Sequence, residues 1–410
     1  MKENLKLPAL LFLLLPLLLM QACSKEEEPD PFEDNTWLLS SDLEFMRTKE
    51  NMVTLASYGA LLYPDLAAMI DEIESGVNVY SITYNTTFLG EKKIASGLVI
   101  IPSVPGEYPV LSFQNGTNTL HANAPTADPE YLPYQLLQLT ASTGYVVIIS
   151  DYLGFGASDD MAHPYLHKES TVQTLVDMLY AVGEFDGDVA KDIKVNGDYY
   201  LMGYSQGGWA TLALLEALEQ DYSSDFTVRA AACGAGPYDM SYFNEYVLGL
   251  TEYPMPVFLC YIANAYNEYG IYSSSLSDLF NDPYAGRIPG LYDGLHTSEQ
   301  INDQLTVSIP GLFRAEFISG YATSPSYLDV RNALAANSIE GWDSDVPILF
   351  MHGTADTYVI PALSERMHDA MTAAGSSPQT CTYLPMEGYD HSGGIFPAGL
   401  AGLEFFSIYR

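Results

Sequence analysis

Seven short stretches rich in β-branched and aromatic residues recur along the chain and predict β-strands. The first two, VYSITYNTTF and KIASGLVIIP, alternate in polarity and flank LGEK, which predicts an antiparallel pair. The other five are apolar at nearly every position: YPVLSFQNG, YVVIISDY, YYLMGYS, VRAAACGAG and VPILFMHG. Strands that are buried on both faces of a sheet have this pattern.

Longer stretches with a helical period lie between or beside these strands. They are SYGALLYPDLAAMIDEI, ESTVQTLVDMLYAVGEF, GWATLALLEALEQ and, at the C-terminus, IFPAGLAGLEFFSIY. Strands that alternate with helices predict an α/β domain with a mainly parallel central sheet flanked by helices. Ligands of such domains bind beyond the carboxyl ends of the strands, so the loops at those ends are where chemistry is expected.

One long segment, residues 237–342, contains no clear buried strand. It carries tyrosine-rich helical patterns such as YDMSYFNEYVLGL and VFLCYIANAYNEYGIY. More than a hundred residues between two core strands is too long for a loop, which predicts a cap or lid domain inserted into a core of residues 38–236 and 343–410. The alternative is a set of peripheral helices without a function.

Composition and charge narrow the class of protein. Of 410 residues, 48% are hydrophobic and 12% aromatic, which is enough to bury a large core. The formal net charge of −36 disfavours binding to nucleic acid or to an anionic membrane surface, because both would repel the protein.

The N-terminus reads as a processing segment. Lys2 and Lys6 precede the apolar stretch LPALLFLLLPLLLM, which is short and broken by proline, and MQAC follows. This resembles a bacterial lipoprotein signal, with residues 1–22 removed, Cys23 lipidated and an acidic tether over 24–37. The resemblance implies an exported protein of the cell envelope, anchored in the outer membrane as a lipoprotein and compatible with surface exposure. Such a protein would contact the membrane only through its lipid anchor. The alternative is an ordinary secretory signal cleaved elsewhere.

The remaining cysteines, Cys233, Cys260 and Cys381, are widely spaced. Buried free thiols are expected, although one disulfide remains open. No CxxC or Cys/His cluster is present in the sequence, so we expect neither a metal nor a cofactor.

The candidate nucleophile is Ser205 in GYSQGG. The strand pattern YYLMGY precedes it and the helix pattern GWATLALLEALEQ follows, which places Ser205 on a tight strand-to-helix turn. Such a turn needs small neighbours, which Gly203 and Gly207 provide. The backbone N–H of Gln206, at the start of the helix, would be free to stabilise an oxyanion.

A serine nucleophile needs a base and an acid that orients the base. Asp356 lies in the turn after VPILFMHG and is the candidate acid, the alternative being a turn-forming aspartate. His391 lies in the glycine-flanked loop GYDHSGG and is the candidate base, in the chain order Ser, Asp, His. We expect Asp390 to point elsewhere because it adjoins His391, and His352 to brace its loop.

The second oxyanion donor has two candidate segments. FQNGTN, with Asn115 and Gly116, follows one strand, and DYLGFG, which begins at Asp151, follows the next. Both approach the same predicted pocket, and the pattern alone does not choose between them.

These motifs together resemble the α/β-hydrolase superfamily and, within it, the secretory lipase family of fungal lipase A-type enzymes and bacterial relatives. The shared pieces are FQNGT, SDYLGFGAS, HPYL, GYSQGG, HGTADTYVIP and DHSGG, in the family's order. The resemblance implies a triad of Ser205, His391 and Asp356, with Asp151 joining Gln206 in the oxyanion hole. It also implies a cap at the Tyr-rich segment. Asn115 departs from the histidine that relatives commonly carry, which weakens the case for QNGT.

The sequence therefore predicts a serine esterase or lipase, acting on a small-molecule or lipid-like ester without metal or cofactor. Two alternatives remain: a serine peptidase or amidase of the same fold, and a catalytically inactive binding lipoprotein. Nothing in the sequence specifies the acyl-chain length or the oligomeric state.

Overall fold

The computed structural model describes residues 36–188 and 192–410, so the predicted signal, Cys23 and nearly all of the tether lie outside the described part. Within these residues nine strands form a single sheet. They are β1 (Leu38–Arg47), β2 (Val77–Phe88), β3 (Glu91–Pro102), β4 (Gly106–Gln114), β5 (Val146–Ser150), β6 (Ile193–Tyr204), β7 (Thr227–Gly234), β8 (Ile348–Gly353) and β9 (Cys381–Met386).

The strand order is β1-β2-β3-β5-β4-β6-β7-β8-β9. The first three strands are antiparallel to their neighbours, and β3 also pairs antiparallel with β5. From β5 to β9 every pairing is parallel. The carboxyl ends of β4, β6, β8 and β9 therefore meet at one edge of the sheet.

Helices cover both faces of the sheet, as the nearly continuous burial of β5 and β8 requires. One face packs against α4 (Lys168–Asp188), α5 (Gln206–Gln220) and α14 (Ala362–Ala374). The other face packs against α1 (Lys49–Leu62), α2 (Ala67–Glu72), α3 (Leu132–Ser142) and α15 (Ile395–Ser407). The predicted α/β class and mainly parallel sheet are confirmed.

All seven predicted strands are present, and the first two form the predicted hairpin. The two edge strands, β1 and β9, were not predicted from the sequence. β1 is largely exposed and lacks a clear alternation. β9 contains Pro385, which an edge strand tolerates because one side of its backbone has no partner strand.

The predicted first helix is broken. Proline cannot continue a helix because it lacks the N–H and its ring clashes with the preceding turn. The structure accordingly ends α1 at Leu62, places a short 3₁₀ turn over Pro64–Leu66, and begins α2 at Ala67.

All the regular secondary structure between β7 and β8 is helical. It contains α6 (Met240–Leu248), α7 (Pro256–Glu268), α8 (Leu276–Leu279), α9 (Tyr284–Arg287), α10 (Ser298–Asn302), α11 (Ile309–Leu312), α12 (Ala315–Gly320) and α13 (Leu328–Ala336). We call residues 237–342 the insert. Tyrosine hydroxyls of the insert donate to backbone carbonyls of core loops: Tyr253 to Tyr358, Tyr261 to Asn118 and Tyr266 to Leu166.

The three cysteines in the described part of the chain, Cys233, Cys260 and Cys381, are buried free thiols. Among the residues described, no helix is long and apolar enough to cross a membrane.

Candidate active site

Ser205 occupies a strained turn between β6 and α5. Its backbone has φ 61° and ψ −122°, a region that residues other than glycine rarely adopt. The Ser205 N–H donates to the carbonyl of Gly234 on the neighbouring strand β7 at 2.9 Å. The strand-to-helix turn predicted from GYSQGG is therefore present, with the serine at its apex.

The flanking glycines are required by contact distances. A Cβ at Gly203 would lie 2.2 Å from the carbonyl oxygen of Gly207, and a Cβ at Gly207 would lie 1.9 Å from that of Gln114. Both distances are far below van der Waals contact, so only glycine fits at either position. The second contact also brings the end of β4 against the first turn of α5.

Ser205, His391 and Asp356 form one chain of hydrogen bonds. The Ser205 hydroxyl lies 2.9 Å from His391 Nε2, and His391 Nδ1 lies 2.6 Å from Asp356 Oδ2. A carboxylate can only accept, so Nδ1 carries the hydrogen and Nε2 is left to accept from the serine. His391 and Asp356 are both buried.

Asp356 is held by more groups than the sequence indicated. Its Oδ1 accepts the N–H groups of Tyr358 and Val359, and its Oδ2 also faces His352 Nε2 at 3.2 Å. Burial raises the pKa of Asp356, but the hydrogen bonds from His352 and His391 outweigh it and lower the pKa to about 2. His352 was expected only to brace its loop, and no sequence pattern tied it to the carboxylate.

The loop that carries His391 is fixed at both ends. The Tyr204 hydroxyl donates to the backbone carbonyl of His391 at 2.9 Å. Asp390 Oδ1 accepts the N–H of Gly393 at 2.7 Å, so its side chain closes its own loop and faces away from the imidazole, as predicted. Tyr204 precedes Ser205 directly, so the residue beside the serine also positions the histidine loop.

The backbone N–H of Gln206 lies at the start of α5. The first N–H groups of a helix have no acceptor within it and carry the positive end of its dipole. The predicted donor is therefore the first N–H of a 15-residue helix, directly after Ser205.

Asp151 has other partners. Its N–H donates to the Ser96 carbonyl at 2.9 Å, and its carboxylate accepts from the Ser96 hydroxyl and from the N–H and hydroxyl of Thr126. Asp151 is 2% exposed, and burial raises its pKa. Both of its polar groups are engaged within the core, which does not support the predicted oxyanion-hole role.

Asn115 and Gly116 lie at the end of β4, next to the serine turn. A Cβ at Gly116 would be 3.6 Å from the carbonyl of Tyr204. The Asn115 side chain donates to the carbonyl of Ser150 at 2.7 Å and is buried. The Asn115 side chain is thus structural, while the backbone of this segment stays beside Ser205.

A cavity extends from Ser205 and Gln206 into the insert. Most of its lining is apolar or aromatic, and the insert contributes Phe243, Phe313, Phe317 and Leu334. Apolar pockets with few polar groups are typical ligand sites. Among the described residues, no three or more His, Cys, Asp and Glu side chains are grouped to hold a metal.

The strand order, with a serine turn after β6 and the acid and histidine loops after β8 and β9, is that of the α/β-hydrolase fold. No protein-family model and no curated protein sequence matches the chain. Solved structures do.

A Legionella pneumophila protein described as a hydrolase matches with a TM-score of 0.80 and 24% identity, over 91% of this chain and 98% of that one. The rice cell wall degrading esterase LipA of Xanthomonas oryzae matches with a TM-score of 0.74 and 25% identity, over 91% and 99%. Candida antarctica lipase A in its closed state matches with a TM-score of 0.65 and 14% identity, over 93% and 86%. The predicted resemblance is confirmed at the level of the fold.

Proposed function

We propose that this protein is a serine hydrolase that cleaves carboxylic esters through an acyl-enzyme on Ser205. The observation that carries the proposal is the hydrogen-bonded chain of Ser205, His391 and Asp356 at the end of an apolar cavity. These are the nucleophile, base and orienting acid that acyl transfer requires.

The proposed reaction gives each of these three residues one role. Ser205 Oγ attacks the ester carbonyl while His391 Nε2 takes its proton, and ionised Asp356 stabilises the imidazolium that forms. His391 then protonates the leaving alcohol, which departs. Water, deprotonated by the same nitrogen, attacks the acyl-enzyme. The bond from the acyl carbon to Ser205 Oγ then breaks, His391 returns the proton to Oγ, and the carboxylic acid leaves.

The negative charge on the tetrahedral intermediate needs donors. The Gln206 N–H supplies one, and a donor of this kind contributes roughly 3–4 kcal/mol. For the second donor we favour the backbone N–H groups of Asn115 and Gly116, because this segment lies against the turn while Asp151 is engaged elsewhere.

Two observations support ester hydrolysis. The cavity is lined mainly by apolar side chains, which suits an acyl chain, and two of the similar structures are by name an esterase and a lipase. The insert would act as the cap that encloses this chain. Peptide-bond cleavage and ligand binding without catalysis remain the competing functions.

The test is hydrolysis of nitrophenyl esters from acetyl to palmitoyl, with nitroanilides as amide substrates. We expect ester hydrolysis by the wild type and a fall in kcat of about 10⁴-fold or more in Ser205→Ala. Ser57→Ala, at an exposed helix position, is the matched control and should keep wild-type activity. Cleavage of amides alone would favour a peptidase. No activity in the wild type or in Ser57→Ala would favour a binding lipoprotein.

We further propose that the protein is exported and anchored in the bacterial cell envelope through lipidated Cys23. The N-terminal sequence supports this proposal. Incorporation of a labelled fatty acid, lost in Cys23→Ser, is the test.

A further inference from the structure

Gln206 contributes a side chain as well as a backbone N–H to the wall beside Ser205. Gln206 is 1% exposed and is one of the residues that line the cavity. Its Nε2 lies 2.9 Å from Nε2 of His163, which is also buried.

The hydrogen positions in this pair follow from the surroundings of His163. Its Nδ1 lies 2.6 Å from the carbonyl oxygen of Leu153, which can only accept, so Nδ1 carries the hydrogen. Burial lowers the pKa of His163 to about 4, so the ring is neutral at neutral pH. Nε2 therefore has a free lone pair, and it accepts from the Gln206 amide nitrogen.

This fixes which way the amide points. Turning it over would set Gln206 Oε1 against the lone pair of His163 Nε2, two acceptors facing one another. In the observed orientation Oε1 is buried and has no hydrogen-bond partner among the described residues. A buried carbonyl without a donor is costly, and such groups usually mark a site where a ligand or water completes the bond.

Resting on the proposed ester hydrolysis, we propose that Gln206 Oε1 is a specificity determinant, which accepts a hydrogen bond from a hydroxyl or N–H on the acyl group near the scissile carbonyl. Gln206 follows the nucleophile directly, so a donor that reaches Oε1 must be carried close to the reacting carbon. The preferred substrates are then esters of hydroxy or amino acids whose remaining chain is apolar. His163 is a positioning residue that holds the amide in this orientation.

The test compares methyl butyrate with methyl 2-hydroxybutyrate and methyl 3-hydroxybutyrate. Each kcat/KM is divided by the ester's rate of hydrolysis in alkali, which removes differences in intrinsic reactivity. We expect the corrected kcat/KM of the wild type to be about tenfold higher for at least one hydroxy ester than for butyrate, which is the change that one hydrogen bond produces. Gln206→Met, which keeps the length and the backbone N–H but has no carbonyl acceptor, should reduce this ratio to about one.

His163→Leu frees the amide to rotate and should reduce the ratio partly. Each ratio is taken within one preparation, so loss of folded protein cancels. A wild type that prefers plain butyrate to both hydroxy esters, or a ratio that Gln206→Met leaves unchanged, overturns the inference while ester hydrolysis stands. No hydrolysis of any ester by the wild type overturns the proposed function itself, and the inference with it.

Discussion

At the scale of single residues, Asp356 Oδ2 is within hydrogen-bond distance of two imidazole nitrogens, Nδ1 of His391 at 2.6 Å and Nε2 of His352 at 3.2 Å. His352 Nε2 also faces the carbonyl of Val359 at 2.7 Å, so it carries a hydrogen and donates, while its Nδ1 accepts from Ser364. The carboxylate is therefore kept ionised in a buried place, where it can stabilise a positive His391.

This arrangement predicts a dependence of stability on pH. The pKa of Asp356 is about 2 in the folded protein against an ordinary 3.8, so its ionisation stabilises the fold above about pH 4 and this contribution is lost as the pH falls towards 2. Between pH 6 and pH 3 the free energy of unfolding of the wild type should fall by about 1 kcal/mol more than that of Asp356→Asn.

Urea denaturation at the two pH values measures this difference. The same substitution at exposed Asp303 controls for the loss of one carboxylate. Equal losses in the wild type and in Asp356→Asn would mean that Asp356 titrates as an ordinary aspartate.

His391 could be proposed from its glycine-flanked loop and from the chain order Ser, Asp, His. Ser205 and Asp356 could be proposed from the sequence because each follows a stretch that reads as a buried strand, and parallel strands bring their carboxyl ends together. Asp151 satisfies the same rule, yet its carboxylate faces Ser96 and Thr126. These partners lie 55 and 25 residues away in the chain, so a local pattern cannot show which way the side chain turns.

At the scale of elements, the turn at Ser205 is possible because glycines allow the backbones of β4, β6 and α5 to approach one another closely. Gly203 and Gly207 sit against one another, and Gly207 touches the end of β4. The same closeness holds the Asn115–Gly116 backbone beside the serine.

Gly207→Ala should therefore lower the free energy of unfolding by about 3 kcal/mol, because the added methyl meets the Gln114 carbonyl and no flexible side chain can yield. Gly183→Ala in α4 is the matched control. Apart from its chain neighbours and the backbone of its own helix, no heavy atom lies within 4 Å of its added methyl, so it should stabilise the protein by about 0.5–1 kcal/mol. Chemical denaturation measures both changes, and a Gly207→Ala variant as stable as the wild type would contradict this account of the turn.

Five of the seven predicted strands, β4 to β8, could be predicted because burial on both faces imposes a nearly continuous apolar run, and β2 and β3 because their residues alternate in polarity. The edge strands β1 and β9 were not predicted, because both are partly exposed to solvent and their sequences mix polar and apolar residues without a clear period. The break at Pro64 needed only the rule that proline ends a helix, which a purely periodic reading of the apolar positions overlooks.

At the scale of the whole molecule, the insert and the core share one cavity. The length of the insert predicts a cap domain. In the structure its tyrosine hydroxyls donate to core carbonyls, and its aromatic side chains line the cavity that begins at Ser205. Sequence periodicity could identify the helices, but not which of their faces would meet the core, because that depends on contacts between residues far apart in the chain.

The central claim is that Ser205, activated by His391, is the nucleophile of this molecule. Treatment of the native protein with a fluorophosphonate, followed by intact mass and peptide mapping, tests it most directly. We expect loss of fluoride and addition of one phosphonyl group per chain, on Ser205, with no labelling of unfolded protein or of Ser205→Ala. An unlabelled native protein, or an adduct on a different residue, would contradict it.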